Sequence, residues 1–117
     1  MPTEHINFRR EVAASTGVEL EYEIKKDGWL TEGLMHFPDG CNALVYVRLR
    51  LAISGTIIEV VPIDDDYIAL NNANYPFVID REVKVKDKIL VDIINYDSTN
   101  SHKISVIVTW SSDRVVK

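Results

Sequence analysis

Polar and apolar residues alternate most strictly over residues 18–25, where Val18, Leu20, Tyr22 and Ile24 interleave with Glu19, Glu21, Glu23 and Lys25. A period of two places one set on a dry face and the other in water, the pattern of a half-buried strand. A helix would scatter those carboxylates around its circumference. Lys26-Asp27-Gly28 predicts a turn, and residues 29–37 a second strand stopped by Phe37-Pro38-Asp39-Gly40, because proline and glycine interrupt a sheet ladder. In residues 43–51, Val45, Val47, Leu49 and Leu51 share one face while Tyr46, Arg48 and Arg50 share the other. Ser54-Gly55 then predicts a tight turn into residues 56–61 and an antiparallel hairpin.

The middle of the chain is less regular. Pro62 and Asp64-Asp65-Asp66 break the alternation, and the short runs 67–70 and 77–79 flank the turn-rich Asn71-Asn72-Ala73-Asn74-Tyr75-Pro76. Periodicity returns after Lys86-Asp87-Lys88. Residues 89–95 are largely apolar on both faces, and residues 102–110 set His102, Ile104, Val106, Val108 and Trp110 on a face expected to be buried. With a run at 6–12, about eight short strands are predicted, and no helical period extends over eleven residues. The expected fold is all-β: one antiparallel β-sandwich domain over residues 1–117, jelly-roll-like, with residues 1–14 as an arm or an edge strand.

Composition supports that expectation. Val and Ile supply 27 residues against 16 from Leu, Met and Ala, and β-branched side chains suit a pleated surface. At 117 residues and 46% hydrophobic, the chain is long enough for one packed core without disulfides or metal. The formal charge of -5 argues against nucleic acid as a partner, since a phosphate backbone would be repelled. Cys41 is the only cysteine, the charged first eleven residues hold no signal-peptide core, and the apolar runs fall far short of the roughly 20 residues of a membrane helix. A soluble protein with no membrane partner is expected.

Few residues suggest chemistry. His36 and His102 lie in predicted strands and His5 near the terminus, but the paired histidines and following glutamate of a cupin centre are missing. Asp64, Asp65 and Asp66 are hard oxygen ligands suited to calcium if Asp80 or Asp97 joined them, yet adjacent carboxylates point apart in extended chain, and a solvated turn is the ordinary reading. Cys41 near a histidine would make a nucleophile only with an orienting acid and an oxyanion hole, and neither is marked. Neither a cofactor nor a catalytic set is expected, and the chain is read as no enzyme. The aromatic residues Trp29, Tyr46, Tyr67, Tyr75 and Tyr96 fall near turns or on mixed strand faces, where flat rings stack on sugars or on a partner chain. The row Glu19, Glu21 and Glu23 resists edge-to-edge aggregation, or meets Arg48 and Arg50 of a neighbouring subunit.

The stretch His36-Phe37-Pro38-Asp39-Gly40-Cys41-Asn42-Ala43-Leu44-Val45-Tyr46-Val47-Arg48 is followed by Tyr67-Ile68-Ala69-Leu70-Asn71-Asn72-Ala73, Val85-Lys86-Asp87-Lys88-Ile89, Asn95-Tyr96-Asp97 and Ser101-His102-Lys103-Ile104-Ser105-Val106. This set resembles small uncharacterised structural proteins of tailed phages and archaeal viruses. The resemblance implies a non-enzymatic β-sandwich that builds or decorates a virion after synthesis in the host cytoplasm. It implies self-association, as a trimer or larger ring, and attachment to other virion proteins of a capsid or tail. A carbohydrate-binding module that takes glycans on Trp29, Tyr67, Tyr75 or Tyr96 is the alternative, since such modules share the architecture.

Overall fold

A computed structural model describes residues 3–61 and 67–112. Eight strands run through them: β1 (Thr3–Val12), β2 (Gly17–Glu23), β3 (Gly28–Phe37), β4 (Val45–Ile53), β5 (Thr56–Val61), β6 (Ala73–Val83), β7 (Lys88–Asn95) and β8 (His102–Ser111). Two four-stranded antiparallel sheets form, in the orders β1-β8-β3-β6 and β2-β7-β4-β5. All connections except β4–β5 therefore cross from one sheet to the other, and the order is that of an eight-stranded jelly roll.

The alternation read from the sequence decides which side of each strand is buried. Val45, Val47, Leu49 and Leu51 of β4, with Ile89, Val91 and Ile93 of β7 beside them, face Ile104, Val106 and Val108 of β8 and Leu30, Met35 and Phe37 of β3 across the sandwich, all fully buried. The Ser54-Gly55 turn closes the β4–β5 hairpin with both residues at positive φ, 52° and 82°, the backbone sense that matches strand twist. Gly28 is fixed by a close approach instead. A Cβ there would lie 2.5 Å from Trp110 Nε1 and 2.6 Å from the Ser111 carbonyl oxygen, so only glycine lets the indole lie against β3.

Two expectations need correction. The segment predicted as a turn followed by a short run at 77–79 is one continuous eleven-residue strand, β6, because β3 offers it a hydrogen-bonding partner from Ala73 to Val83. Pro76 is tolerated there since β6 is an edge strand with solvent on one side. Residues 67–70 make only one bridge, Ile68 to Val47. Of the two readings of the N-terminal segment, arm or edge strand, residues 3–12 form the edge strand, paired with β8 from Thr3 to Val12.

A polar plug seals one end of the sandwich. Asn95, buried at the end of β7, donates from Nδ2 to Val12 O and Asn100 O, both at 3.0 Å, and accepts the Asp97 amide at 2.9 Å. Asp97 accepts from the Thr99 amide and hydroxyl, the Asn100 amide and His102 Nε2, at 2.9 to 3.2 Å. These bonds, led by the Thr99 amide and the His102 ring, hold the Asp97 carboxyl well below the usual carboxylate range. A depressed folded pKa means that the unfolded chain binds the extra proton, so this stabilisation is present above the ordinary carboxylate pKa and is lost as acid approaches the folded value. The melting temperature should therefore fall on acidification below about pH 5 more steeply in the wild-type chain than in Asp97→Asn. Parallel slopes in a pH series of thermal melts would refute the linkage.

Candidate functional site

The outer face of the β2-β7-β4-β5 sheet carries the densest set of functional side chains. Alternation along β4 turns Tyr46, Arg48 and Arg50 outward because their neighbours fill the core. Two backbone bonds between Val47 and Ile68, at 2.8 and 2.9 Å, bring Tyr67 beside this row, and the Tyr96 amide donates to Leu44 O at 2.8 Å, which brings Tyr96 up from the β7–β8 loop. The three rings form a cluster. Tyr46 and Tyr67 are 6.2 Å apart at 58°, Tyr46 and Tyr96 are 5.0 Å apart at 82°, and the Arg48 guanidinium lies 4.6 Å from the Tyr67 ring centre. Tyr96 remains 58% exposed.

Beneath the rings runs an ion-pair network. Asp92 Oδ2 accepts from Arg48 Nε at 2.7 Å and from Arg50 Nη2 at 2.8 Å, and Arg50 Nη2 also donates to Glu19 Oε2 at 3.0 Å. Burial works against the Arg48 charge, but the Asp92 hydrogen bond and the neighbouring Tyr67, Asp92 and Glu59 raise its pKa overall. Both arginines are thus held within their own chain. The acidic row is expected either to resist edge-to-edge aggregation or to meet Arg48 and Arg50 of another subunit; within the chain, Arg50 meets Glu19 in the same sheet and Glu21 faces Lys88 at 3.6 Å. Glu23 stays exposed. Asp92 carries the network without any mark in the sequence beyond its being the one acid in an otherwise apolar run.

The other aromatic candidates lie elsewhere. Tyr75, half-buried, opposes Met35 and packs against the core, apart from the Tyr46 cluster. Trp29, half-buried, opposes Ser111 and Glu82 on the outer side of the other sheet. That outer side holds an open groove of about 730 Å³ floored by Leu34, Pro76 and Ile107 and rimmed by His5, Asn7 and Thr109. Val78, 75% exposed, continues the apolar strip.

The histidines do not converge. His36 is exposed with Nδ1 2.6 Å from Asn74 Oδ1, His5 contacts Thr109 on the same outer side, and His102 points inward to Asp97. No group of three or more His, Cys, Asp or Glu side chains suited to a metal occurs among the described residues. Asp64, Asp65 and Asp66, the calcium candidates, lie outside the described residues, and the lone pairs of Asp97 are already taken by the plug. Burial, with Asp39 and Asp97 adding to it, pushes the Cys41 thiol up, the opposite of what a nucleophile requires.

No protein-family model and no curated protein sequence matches the chain. Among solved structures, the SPBc2 prophage-derived protein YomS aligns over 93% of this chain and 96% of its own, with a TM-score of 0.56 and 13% identity. A mitogen derived from Yersinia pseudotuberculosis aligns over 96% and 90%, with a TM-score of 0.58 and 13% identity. An infectious bursal disease virus chain (Gt strain) is a looser match, at TM-score 0.47 and 9% identity over 92% of this chain and 31% of its own. What this chain shares with YomS and with the mitogen is the fold.

Proposed function

We propose that the chain is a non-enzymatic structural subunit of a virus particle, a jelly roll that self-associates and attaches to a capsid or tail. The observation that carries this reading is the strand order itself. Two complete four-stranded sheets leave broad outer faces and a loop-bearing end for contact. The near full-length fold likeness to a prophage-derived protein supports it. The protein then resides on the particle after synthesis in the host cytoplasm. Antibody against the purified protein should label particles banded on a density gradient from the culture that carries the gene. Particles free of the protein, with all of it left in the cell extract, would exclude the reading.

A second reading is favoured by the convergence of Tyr46, Tyr67 and Tyr96, which binds glycans by ring stacking whether or not the chain sits on a particle. On a glycan array, binding confined to one sugar class is expected, with about a tenfold loss in Tyr96→Ala and an unchanged melting curve. An array on which the wild-type and variant proteins give the same signals would remove it.

A further inference from the structure

We infer that β1 is the self-association edge and that it pairs antiparallel with β1 of a second copy about a two-fold axis at Asn7. The inference rests on the self-association reading and specifies the surface that performs it. A two-sheet sandwich has four edge strands, here β1, β6, β2 and β5, and each exposes unpaired backbone groups that template another strand unless something prevents it.

Three of the four carry such a block. β6 holds Pro76, which lacks a backbone donor, and a break in register against β3 beside Asp80, whose φ is 50°. β5 is only six residues long and its register with β4 shifts between Leu49 and Arg50. β2 presents Glu19, Glu21 and Glu23 on one face, so pairing with its own copy sets acid against acid.

β1 carries none of these. It runs ten residues without proline, and its pairing with β8 is unbroken from Thr3 to Val12. Its sequence is also complementary to itself. With Asn7 on the axis, Glu4 of one copy stands opposite Arg10 of the other, twice by symmetry, while Ile6 stands opposite Phe8 on the same inward side. His5 falls opposite Arg9 and Thr3 opposite Glu11 on the outer side. Glu4 and Arg10 are exposed, and the contact of Glu4 within the chain is a long one, 3.7 Å to Lys26. Arg10 has no ion-pair partner among the described residues. The product is a continuous eight-stranded sheet spanning both copies, with half-buried Ile6 covered by the second Phe8.

Sedimentation equilibrium of wild-type, Glu4→Arg, Arg10→Glu and the double exchange decides the matter. Each single exchange puts like charges opposite each other at both symmetry-related contacts and should raise the dimer dissociation constant about tenfold or more. The double exchange restores opposite charges and should return it to within about threefold of wild type. Asn7→Cys should cross-link to itself when diamide is the oxidant, because directly opposed residues fall within disulfide reach, whereas Arg9→Cys should not. A dimer indifferent to the charge exchanges, or a wild-type trimer, moves the interface away from a two-fold β1 pair and leaves self-association standing. A wild-type monomer at about 1 mM overturns both this inference and the self-association reading, since an assembly interface of ordinary strength is populated at that concentration.

Discussion

Asp92→Leu is expected to cost the folded chain about 3 kcal/mol, the order found when one partner of a buried ion pair is removed, and to lower the melting temperature by about 10 °C. The Asp92 side chain is 10% exposed, and its Oδ2 is the shared acceptor of Arg48 and Arg50, whose side chains are 18% and 14% exposed. Without it, two guanidiniums stand side by side over an apolar strand, with Glu19 against Arg50 and with Tyr67 and Glu59 near Arg48 but none of them replacing the shared Asp92 oxygen. The penalty arises from stranded charge, not from lost attraction. A triple variant, Arg48→Met with Asp92→Leu and Arg50→Met, removes the charges together and should recover most of the stability. Urea denaturation measures both. A change below about 1 kcal/mol in the single variant would place the network among solvent-screened surface pairs. Because Arg48 lies against Tyr67, the single variant should also loosen the tyrosine cluster and weaken any ligand bound there.

Asn95→Leu is the second substitution with a large expected effect. The side chain fits the space, but the Val12 and Asn100 carbonyls lose their donor and the Asp97 amide its acceptor in a site that is 1% exposed. Buried polar groups left without partners cost about 1 to 3 kcal/mol each, so a loss of about 3 kcal/mol is expected after relaxation of the loops. The damage has a location. Ser15 donates its amide to Asp97 O and Asn95 donates its own to Thr16 O, so amide exchange should accelerate at Ser15, Asp97 and Asn100 before it does in the hairpin of β4 and β5. Uniform acceleration through all eight strands would mean that Asn95 serves overall packing and not the closure of this end.

Both predictions concern residues whose importance the linear sequence hides. Asp92 reads as one acid in the run Ile89 to Asn95, and Asn95 as the last residue before a polar loop. Their roles depend on neighbours 44 and 83 positions away. Tyr46, Tyr67 and Tyr96 show the same division. The sequence marks each ring as lying near a turn or on a mixed face, but Tyr75 and Trp29 carry the same mark and end up against the core and on the opposite sheet. Only the bridge from Ile68 to Val47 and the bond from Tyr96 to Leu44 bring three of the five together. Arg50 and Glu19 are recognisable as complementary charges in the sequence, and the sheet order places them in one chain by putting β7 between β2 and β4.

The sequence by itself determined the strands of strict alternation, the dry face of each, the Ser54-Gly55 hairpin and the all-β class. These depend on a two-residue period and on local turn chemistry, which are properties of neighbouring residues. Tertiary structure alone decided that residues 73–83 form a strand despite Asn74 and Pro76, which strands lie at the edges, and which side chains share a face. A strand exists by virtue of the backbone it pairs with, and the order of pairing follows from how two layers of side chains fill one core.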